Sequence, residues 1–160
     1  MLKIFYDLEL FFEDVYREIS VREYAREMKI SPPTASKLLN ELKAEELLVS
    51  TDKGVYRYFR AHRDGYVFRE LAKLYWYSIL HVLTEKIREE IAFRRIVLFG
   101  SLAKAENTNE SDVDLFLDAD ERKIDVKHLQ KVLGRDVQLH FAQSLRNEHL
   151  KKNINKGIVL

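Results

Sequence analysis

The sequence IVLFGSLAKAENTNESDVDLFLD, residues 96–118, decides the fold of the C-terminal part of the chain. Its apolar runs, Ile96–Phe99 and Val113–Leu117, are predicted to form two short strands. Asp112 and Asp114 are two residues apart, so both carboxylates point to the same side of the second strand. Two neighbouring carboxylates repel each other unless a cation lies between them. Mg²⁺, which prefers oxygen ligands and often binds phosphates as well, is suited to this position.

Gly100 and Ser101 follow the first strand directly. A glycine at such a point lets the backbone approach a ligand closely. A helix that begins at Ser101 would direct its free N–H groups toward an anion. The two halves of the segment therefore predict a site for a divalent ion and a phosphate-bearing ligand.

The segment resembles the signature of the minimal nucleotidyltransferases of the DNA polymerase β superfamily, and its spacing suits the GS-x10-D-x-D form of antitoxin-type members. The residues that carry the resemblance are Leu98-Phe99-Gly100-Ser101-Leu102-Ala103 and Ser111-Asp112-Val113-Asp114-Leu115. The resemblance covers residues 93–160. It implies a nucleotide, ATP above all, with Mg²⁺ or Mn²⁺, and transfer of a nucleoside monophosphate to an acceptor.

The resemblance also implies roles for particular residues. The nucleotide-binding candidates are Gly100, Ser101, Lys104 and Ser111, with Asn107 near the same loop. Asp112 and Asp114 are the expected metal ligands and catalytic carboxylates, because a bridging ion lowers the charge of the transition state. The chain is too small for the template-handling domains of a polymerase, so we expect a protein hydroxyl or a small molecule as acceptor.

The last predicted strand departs from the family pattern. Members usually carry a third carboxylate there, in a G-x-x-V-D-L context. Counting from Gly134 and Val137, that position is held by Gln138, whose neutral amide can neither act as a base nor balance metal charge. Asp136 lies on the same strand face, about 6–7 Å away, and is the third catalytic candidate if the register differs. Ala105 also stands where members commonly have glycine, so weak transfer is expected.

Three further elements are predicted after the signature: a helix over residues 124–133 that ends at Gly134, a strand over residues 136–141, and a last helix that Ser144 caps and Gly157 ends. Together they predict a small mixed sheet with helices packed on it. The histidines show no metal-ligand spacing. His140 shares a strand face with Gln138, and we expect a structural role for it, with a position lining the site as the alternative.

The first part of the chain is predicted to begin with three helices. Apolar residues recur at helical spacing over residues 5–19 and again over residues 20–28. Ser31 is suited to cap a third helix, and Pro32 is suited to its first position.

Two strands, residues 47–49 and 55–59, are predicted around a turn at residues 51–54. Three helices followed by a hairpin are the order of a winged helix-turn-helix. Residues 20–61 resemble the DNA-binding helices of prokaryotic regulators. We therefore predict a winged helix-turn-helix domain over residues 1–64.

In a winged helix-turn-helix, the second helix of the motif enters the major groove. The exposed candidates on it are Pro33, Thr34, Ser36, Lys37 and Asn40. The predicted wing adds Lys53, Arg57, Arg60, His62 and Arg63. Residues 53–63 contain no acid, which predicts a cationic edge for DNA phosphates. A winged helix used only for dimerisation or protein contact fits the same pattern, because acids are abundant elsewhere in this half.

Residues 65–92 are predicted to form a connecting helix. Its apolar pattern runs over residues 66–91 without proline or glycine, as expected for a strut between domains or the seam of a homodimer. The aromatic cluster at residues 75–77 is expected to pack in a core or an interface. The remaining residues, 93–160, form the predicted nucleotidyltransferase domain, which makes the fold class α+β.

Composition limits the surroundings of the protein. The chain has a formal net charge of +1 and no cysteine, which fits a reducing, cytoplasmic environment without disulfides. Its apolar runs are too short to span a membrane. Any DNA affinity must therefore come from a local basic patch.

Three hypotheses follow. The first is an active nucleotidyltransferase, such as an antitoxin that adenylylates a toxin-type protein partner. The second is a DNA-binding transcriptional regulator whose nucleotidyltransferase domain is weakly active or inactive and senses nucleotide. The third is a scaffold that uses both domains for assembly.

Overall fold

The computed structural model describes residues 2–90 and 93–160, and these residues form an α+β protein. The chain divides into two compact units, Met1–Leu71 and Ala72–Leu160. The division falls within helix α4 (Tyr66–Leu83). Residues 91 and 92, the end of the predicted connecting helix, lie outside the described residues. The boundaries at residues 64 and 92 remain predictions.

The helices of the first unit are α1 (Lys3–Glu13), α2 (Val21–Glu27) and α3 (Pro32–Ala44). α3 begins where Ser31 and Pro32 predict. The helical pattern predicted over residues 5–19 was wrong at its end, because α1 stops at Glu13 and Ile19 lies in a strand. Ser20 and Glu23 form a capping box at the start of α2. At the start of α3, the Ser31 hydroxyl accepts a hydrogen bond from the Thr34 backbone N–H at 3.3 Å.

The strands of the first unit differ in part from the prediction. Their bounds are β1 (Ile19–Ser20), β2 (Leu48–Lys53) and β3 (Tyr56–Ala61), in the antiparallel order β1-β3-β2. The predicted turn at residues 51–54 was wrong, because residues 51–53 continue β2 and the chain reverses at Gly54 and Val55. Gly54, with φ +63, supplies the left-handed conformation that a tight reversal requires. β1 was not predicted, since two residues carry no periodicity.

The core of the first unit is aromatic. Phe11 lies parallel to Tyr24, with ring centroids 6.1 Å apart, and Phe12 meets Phe68 at 5.3 Å. All four side chains are fully buried, and each such burial stabilises the fold by about 1.5–3 kcal/mol. The Tyr24 hydroxyl donates a hydrogen bond to the Asp7 carbonyl at 2.7 Å, so its polar end is also satisfied.

The predicted uninterrupted helix over residues 66–91 was wrong. α4 ends at Leu83, and α5 (Glu85–Glu90) follows after Thr84. The buried Thr84 hydroxyl donates to the Leu80 carbonyl at 2.8 Å, a side-chain bond that competes with regular helix geometry. No helix of the described residues is both long and apolar enough to cross a membrane.

The second unit contains the predicted mixed sheet. Its strands are β4 (Ile96–Phe99), β5 (Val113–Leu117), β6 (Val137–His140) and β7 (Ile158–Val159), in the order β6-β5-β4-β7. β5 and β6 are parallel, and the other pairs are antiparallel. The first two strands have the bounds that the sequence predicts, whereas β6 is shorter at both ends.

The helices of the second unit follow the prediction less closely. α6 (Gly100–Lys104) follows β4, and α7 (Lys127–Leu133) begins three residues later than expected but ends at Gly134, as predicted. Ser144 does not cap the last helix, because it lies within a 3-10 helix (Ala142–Arg146). The cap of α8 (Glu148–Asn155) is Asn147, whose side chain accepts from two backbone N–H groups.

One face of the sheet is covered at one end and open at the other. Val97, Phe99 and Phe116 share this face and pack against Ile154 of α8. The open end of the face carries the polar residues of the predicted site.

The aromatic cluster at residues 75–77 is confirmed as core only in part: Tyr75 and Trp76 are fully buried, but Tyr77 is exposed.

Candidate functional site

Antiparallel pairing of β4 and β5 brings the two halves of the signature together. Phe99, the last residue of β4, lies opposite Asp114 near the start of β5. The residue after Phe99 is therefore beside the acidic pair, although ten residues of loop and helix separate Ser101 from Asp112 in the sequence.

Gly100 makes the closest approach to the acidic pair. A Cβ atom at this position would be 2.2 Å from Asp114 Oδ2, far inside van der Waals contact. Gly100 also has φ +78, a conformation that residues with side chains rarely adopt. Glycine is therefore the residue best suited to this position, and its backbone lies against the carboxylate.

Asp114 is partly buried. Its side chain is 25% exposed. Burial raises the pKa of Asp114 above its ordinary value, and repulsion from Asp112 adds to the increase, while His140 opposes it. The surroundings thus disfavour the charged form of Asp114.

Gln138 is the residue of β6 nearest to the acidic pair. In the parallel register it lies opposite Asp114, and its Nε2 donates a hydrogen bond to Asp112 Oδ2 at 2.5 Å. At the position where the family pattern has a third carboxylate, this chain has an uncharged amide, which cannot balance the positive charge of a metal ion.

Asp136, the other candidate for a third acid, is exposed and precedes β6. Its Oδ1 accepts a hydrogen bond from Gln130 Nε2 at 3.4 Å. Asp136 and Asp112 both line a polar cleft of about 340 Å³, so the two carboxylates share a surface. Within the described residues, Asp136 makes no hydrogen bond to the acidic pair.

The remaining nucleotide-binding candidates surround the same loop. Ser101 is half-buried at the start of α6, and Asn107 is fully buried. Lys104 is exposed, and its Nζ donates to Asn153 Oδ1 of α8 at 3.1 Å. Ser111 Oγ accepts from the Thr108 backbone N–H at 2.9 Å, which closes the turn before Asp112.

Arg135 was missed at the sequence level. Its Nη1 donates to the carbonyls of Thr108 and Ser111, each at 2.8 Å, and its guanidinium lies over the Trp76 ring at 5.4 Å. The buried arginine thus fixes the loop that leads into Asp112. No motif could have identified it, because its partners are backbone carbonyls more than twenty residues away.

His140 lines the site, which was the alternative to a purely structural role. Its Nε2 is 3.5 Å from Asp114 Oδ1, within the distance of an ion pair when the imidazole is protonated. The ring meets Phe99 edge to face at 5.0 Å. β6 therefore supplies one neighbour to each acid: Gln138 to Asp112 and His140 to Asp114.

The donor atoms fit one hard divalent ion better than two. Asp112 and Asp114 are oxygen ligands of the kind that Mg²⁺ or Mn²⁺ binds. Among the described residues, no three His, Asp or Glu side chains converge on a common point. The protein thus offers a pair of ligands, and water or phosphate oxygens would complete the coordination.

The predicted DNA-binding residues of the first unit lie on its surface. Pro33, Thr34 and Lys37 are exposed on α3, and Ser36 is half-buried. Lys37 pairs with Glu41 at 3.9 Å.

Three cations of the predicted wing have acidic partners from outside residues 53–63. Lys53 pairs with Glu18, Arg57 Nε pairs with Asp52 Oδ1 at 2.8 Å, and Arg63 Nε pairs with Asp64 Oδ1 at 4.0 Å. Arg60 forms no ion pair among the described residues. The hairpin edge is thus less cationic than its sequence alone predicts.

Comparison with known proteins identifies relatives of the second half of the chain. The family described as "Polymerase beta, Nucleotidyltransferase" matches residues 81–160. "Putative protein adenylyltransferase MJ1379" of Methanocaldococcus jannaschii is 31% identical over an alignment of 90 residues, and the alignment covers 51% of this chain and 90% of that protein. "Putative protein adenylyltransferase MJ0128" of the same organism is 28% identical over 88 residues, again 51% and 90%. No solved structure matches the chain.

Proposed function

The chain belongs to the polymerase beta nucleotidyltransferase family, and we propose that it binds a metal–ATP complex and transfers the adenylyl group, slowly, to a hydroxyl of a protein. The observation that carries this proposal is the close approach of Gly100 to Asp114, which brings the predicted phosphate-binding backbone beside a carboxylate suited to a metal. A protein acceptor is favoured because both relatives bear the name "putative protein adenylyltransferase".

The role of each site residue follows from its position. Asp112 and Asp114 would hold the divalent ion, which supplies charge neutralisation on the phosphates when bound. Gly100 and Ser101 would carry the β and γ phosphates, with Lys104 and Ser111 at the edge of the loop. The phosphate site rests on close backbone approach, because α6 has only five residues and its dipole is correspondingly small.

Slow transfer is proposed because the third acid is absent. In a two-metal scheme the third carboxylate helps to hold the ion that activates the attacking hydroxyl. Gln138 offers no charge at that point, and Asp136 is engaged with Gln130. We propose one well-held ion, tight nucleotide binding and inefficient activation of the acceptor.

The test is calorimetric titration of the full chain with ATP in the presence of Mg²⁺ or Mn²⁺, followed by an assay with labelled ATP. We expect metal-dependent binding that EDTA abolishes, with slow labelling of protein. Absence of metal-dependent nucleotide binding would rule out the proposal.

A second proposal concerns the first unit, which we infer to be a winged helix-turn-helix that binds DNA. It is favoured by the order of three helices and an antiparallel hairpin, with the first turn of α3 exposed. A cleft of about 590 Å³ lies beside that turn and is lined by Arg22, Arg57 and Tyr56 among others. The protein would then be a regulator that senses nucleotide.

Partners follow from these two proposals. A toxin-type protein would be the acceptor of the adenylyl group, and a homodimer would match a two-fold DNA site. A gel-shift series on random-sequence duplexes at rising salt tests DNA binding. Failure to detect any complex at low salt would leave the first unit as a module for protein contact.

A further inference from the structure

The backbone of Asp112 is held on both sides by the segment that joins α7 to β6. Before Asp112, the Ser111 carbonyl accepts a hydrogen bond from Arg135 Nη1 at 2.8 Å. After it, the Val113 N–H donates to the Asp136 carbonyl at 2.8 Å. These two peptide groups flank Asp112 directly. Two consecutive residues therefore set the position of the Asp112 backbone, one through its side chain and the other through its main chain.

The same arginine closes the turn that precedes Asp112. Its Nη1 carries two N–H groups, and it also donates to the Thr108 carbonyl at 2.8 Å. That carbonyl accepts the Ser111 N–H at 3.2 Å as well. Arg135 thus binds both ends of the turn at residues 108–111. If the guanidinium were displaced, the turn would lose both of these bonds at once.

A buried tryptophan supports the guanidinium. Trp76 is 1% exposed, and the Arg135 guanidinium lies over its ring, 5.4 Å from the centroid. Arg135 is itself buried, so water has little access to its N–H groups. A guanidinium stacks on aromatic rings and presents its N–H groups in a fixed plane, whereas a lysine ammonium is a flexible point charge. Lysine at this position would keep the charge but would not hold both carbonyls in the same geometry.

We propose that Arg135 is a positioning residue of the nucleotide site, which holds Asp112 where it binds the divalent ion. This inference rests on the proposed metal–ATP site. The bond from Gln138 restrains only the Asp112 side chain, so the backbone depends on the contacts of Arg135 and Asp136. Groups of a functional site must be held within about 0.5 Å of the productive geometry. Loosening the turn should therefore weaken metal-dependent nucleotide binding.

The first test compares two arginine-to-lysine variants of the full chain. Arg135→Lys should raise the Mg²⁺ concentration needed for half-maximal ATP binding by about tenfold or more, the usual effect of losing a group that orients a metal ligand. Arg88→Lys is the matched control, because Arg88 Nη2 also donates to a backbone carbonyl, that of Leu160. Leu160 follows β7, at the opposite edge of the sheet from β6. We expect Arg88→Lys to change stability but not the Mg²⁺ dependence. Calorimetry measures the binding, and thermal unfolding in EDTA checks that each variant is folded.

The second test needs no variant. If opening of the turn weakens metal–ATP binding by some factor, bound metal–ATP must suppress that opening by the same factor. Amide hydrogen exchange measures such local opening. The Ser111 and Val113 N–H groups should exchange about tenfold more slowly in saturating Mg–ATP, beyond any slowing at the Leu160 N–H. The Leu160 N–H, bonded to the Ile96 carbonyl at 3.0 Å, reports the general stabilisation by binding.

The outcomes separate this inference from the function on which it rests. A folded Arg135→Lys with the wild-type Mg²⁺ dependence overturns the role of Arg135, and so does equal slowing of exchange at Ser111, Val113 and Leu160. If Arg135→Lys does not fold, the exchange measurement on the wild type decides. If the wild type shows no Mg²⁺-dependent ATP binding in calorimetry, the proposed nucleotide site fails, and the role of Arg135 fails with it.

Discussion

Gln138 donates a hydrogen bond from its amide nitrogen to Asp112 Oδ2 at 2.5 Å, across two neighbouring parallel strands. The amide occupies the point at which the family pattern places a third acid. It therefore removes one negative charge from the site and also occupies one oxygen of a proposed metal ligand. Both effects weaken the binding of a second divalent ion.

Restoring the acid is expected to increase transfer. Gln138→Asp adds a carboxylate beside Asp112 and Asp114, which suits a second divalent ion. We expect tighter binding of that ion and a gain of at least about tenfold in the rate of labelling from ATP, equivalent to about 1.4 kcal/mol in the barrier. The measurement is a time course with labelled ATP at saturating metal.

Two controls accompany the Gln138 variant. Gln143→Asp adds the same charge on the exposed 3-10 helix and should leave the rate unchanged. Asp136→Ala should also have little effect. A brisk wild type that Asp136→Ala inactivates would instead make Asp136 the third ligand, and our alignment would be wrong by two residues.

Removing either proposed metal ligand should abolish metal-dependent nucleotide binding. Asp112→Asn and Asp114→Asn keep the size of the side chain but lose the charge that holds the ion. We expect no measurable Mg–ATP heat in calorimetry for either variant, with the fold retained. Asp120→Asn, an exposed acid beyond β5, is the matched control. Unchanged affinity in either site variant would exclude that residue as a ligand.

The sequence could predict the elements whose determinants are local. The bounds of β4 and β5 follow from two apolar runs, and the start of α3 follows from Ser31 and Pro32. The acidic pair and Gly100 were identified because a strand, a glycine and two alternating acids occur in one short segment. The contact of Gly100 with the acidic pair follows from the antiparallel pairing of β4 and β5, which a segment of this length favours.

The rest depends on partners that are distant in the sequence. The ion pair between Lys53 and Glu18 joins residues thirty-five positions apart, so the predicted cationic edge could not reveal it. Arg135 acts through backbone carbonyls, which have no sequence signal. The neighbours of the acidic pair on β6 depend on a parallel register, and only the structure assigns Gln138 to Asp112 and His140 to Asp114.

Replacing Ala105 by glycine is expected to stabilise the second unit. Ala105 ends α6 with φ +55, in the left-handed region that costs a residue with a side chain about 1–2 kcal/mol. Glycine avoids that cost but loses more chain entropy on folding, so a net gain of about 0.5–1 kcal/mol is expected. Chemical denaturation measures it. Ala103→Gly, inside the same helix, should instead destabilise by about 1 kcal/mol; equal effects of both changes would refute the argument.

DNA binding, if the proposal for the first unit holds, should depend more on Arg60 than on Arg57. Arg57 is already paired with Asp52 through two hydrogen bonds. Arg60→Ala should lower the slope of the log affinity against log salt by about 0.9, the loss of one phosphate contact. Asp52→Asn should strengthen binding by freeing Arg57. Lys127→Ala, in the second unit, serves as the control. A gel-shift salt series measures the DNA affinity of the wild type and of these three variants.

The raised pKa of Asp114 predicts how pH affects the stability of the metal-free protein. Because burial raises that pKa on folding, the folded state holds the proton more tightly than the unfolded state does. Stability is therefore expected to fall as pH rises from the ordinary carboxyl pKa through the raised value. Asp114→Asn, which carries no charge, should unfold at a higher temperature than the wild type at neutral pH in EDTA.

That difference should vanish at a pH below the ordinary carboxyl pKa, where both side chains are neutral. It should reverse when Mg–ATP is added, since only the wild type then gains stability from binding to its folded state. Melting curves across pH, with and without Mg–ATP and with Asp120→Asn as control, measure both effects. If the wild type is as stable as Asp114→Asn at every pH, the charged Asp114 carboxylate does not destabilise the folded state. The electrostatic argument for a cation beside Asp114 would then fail.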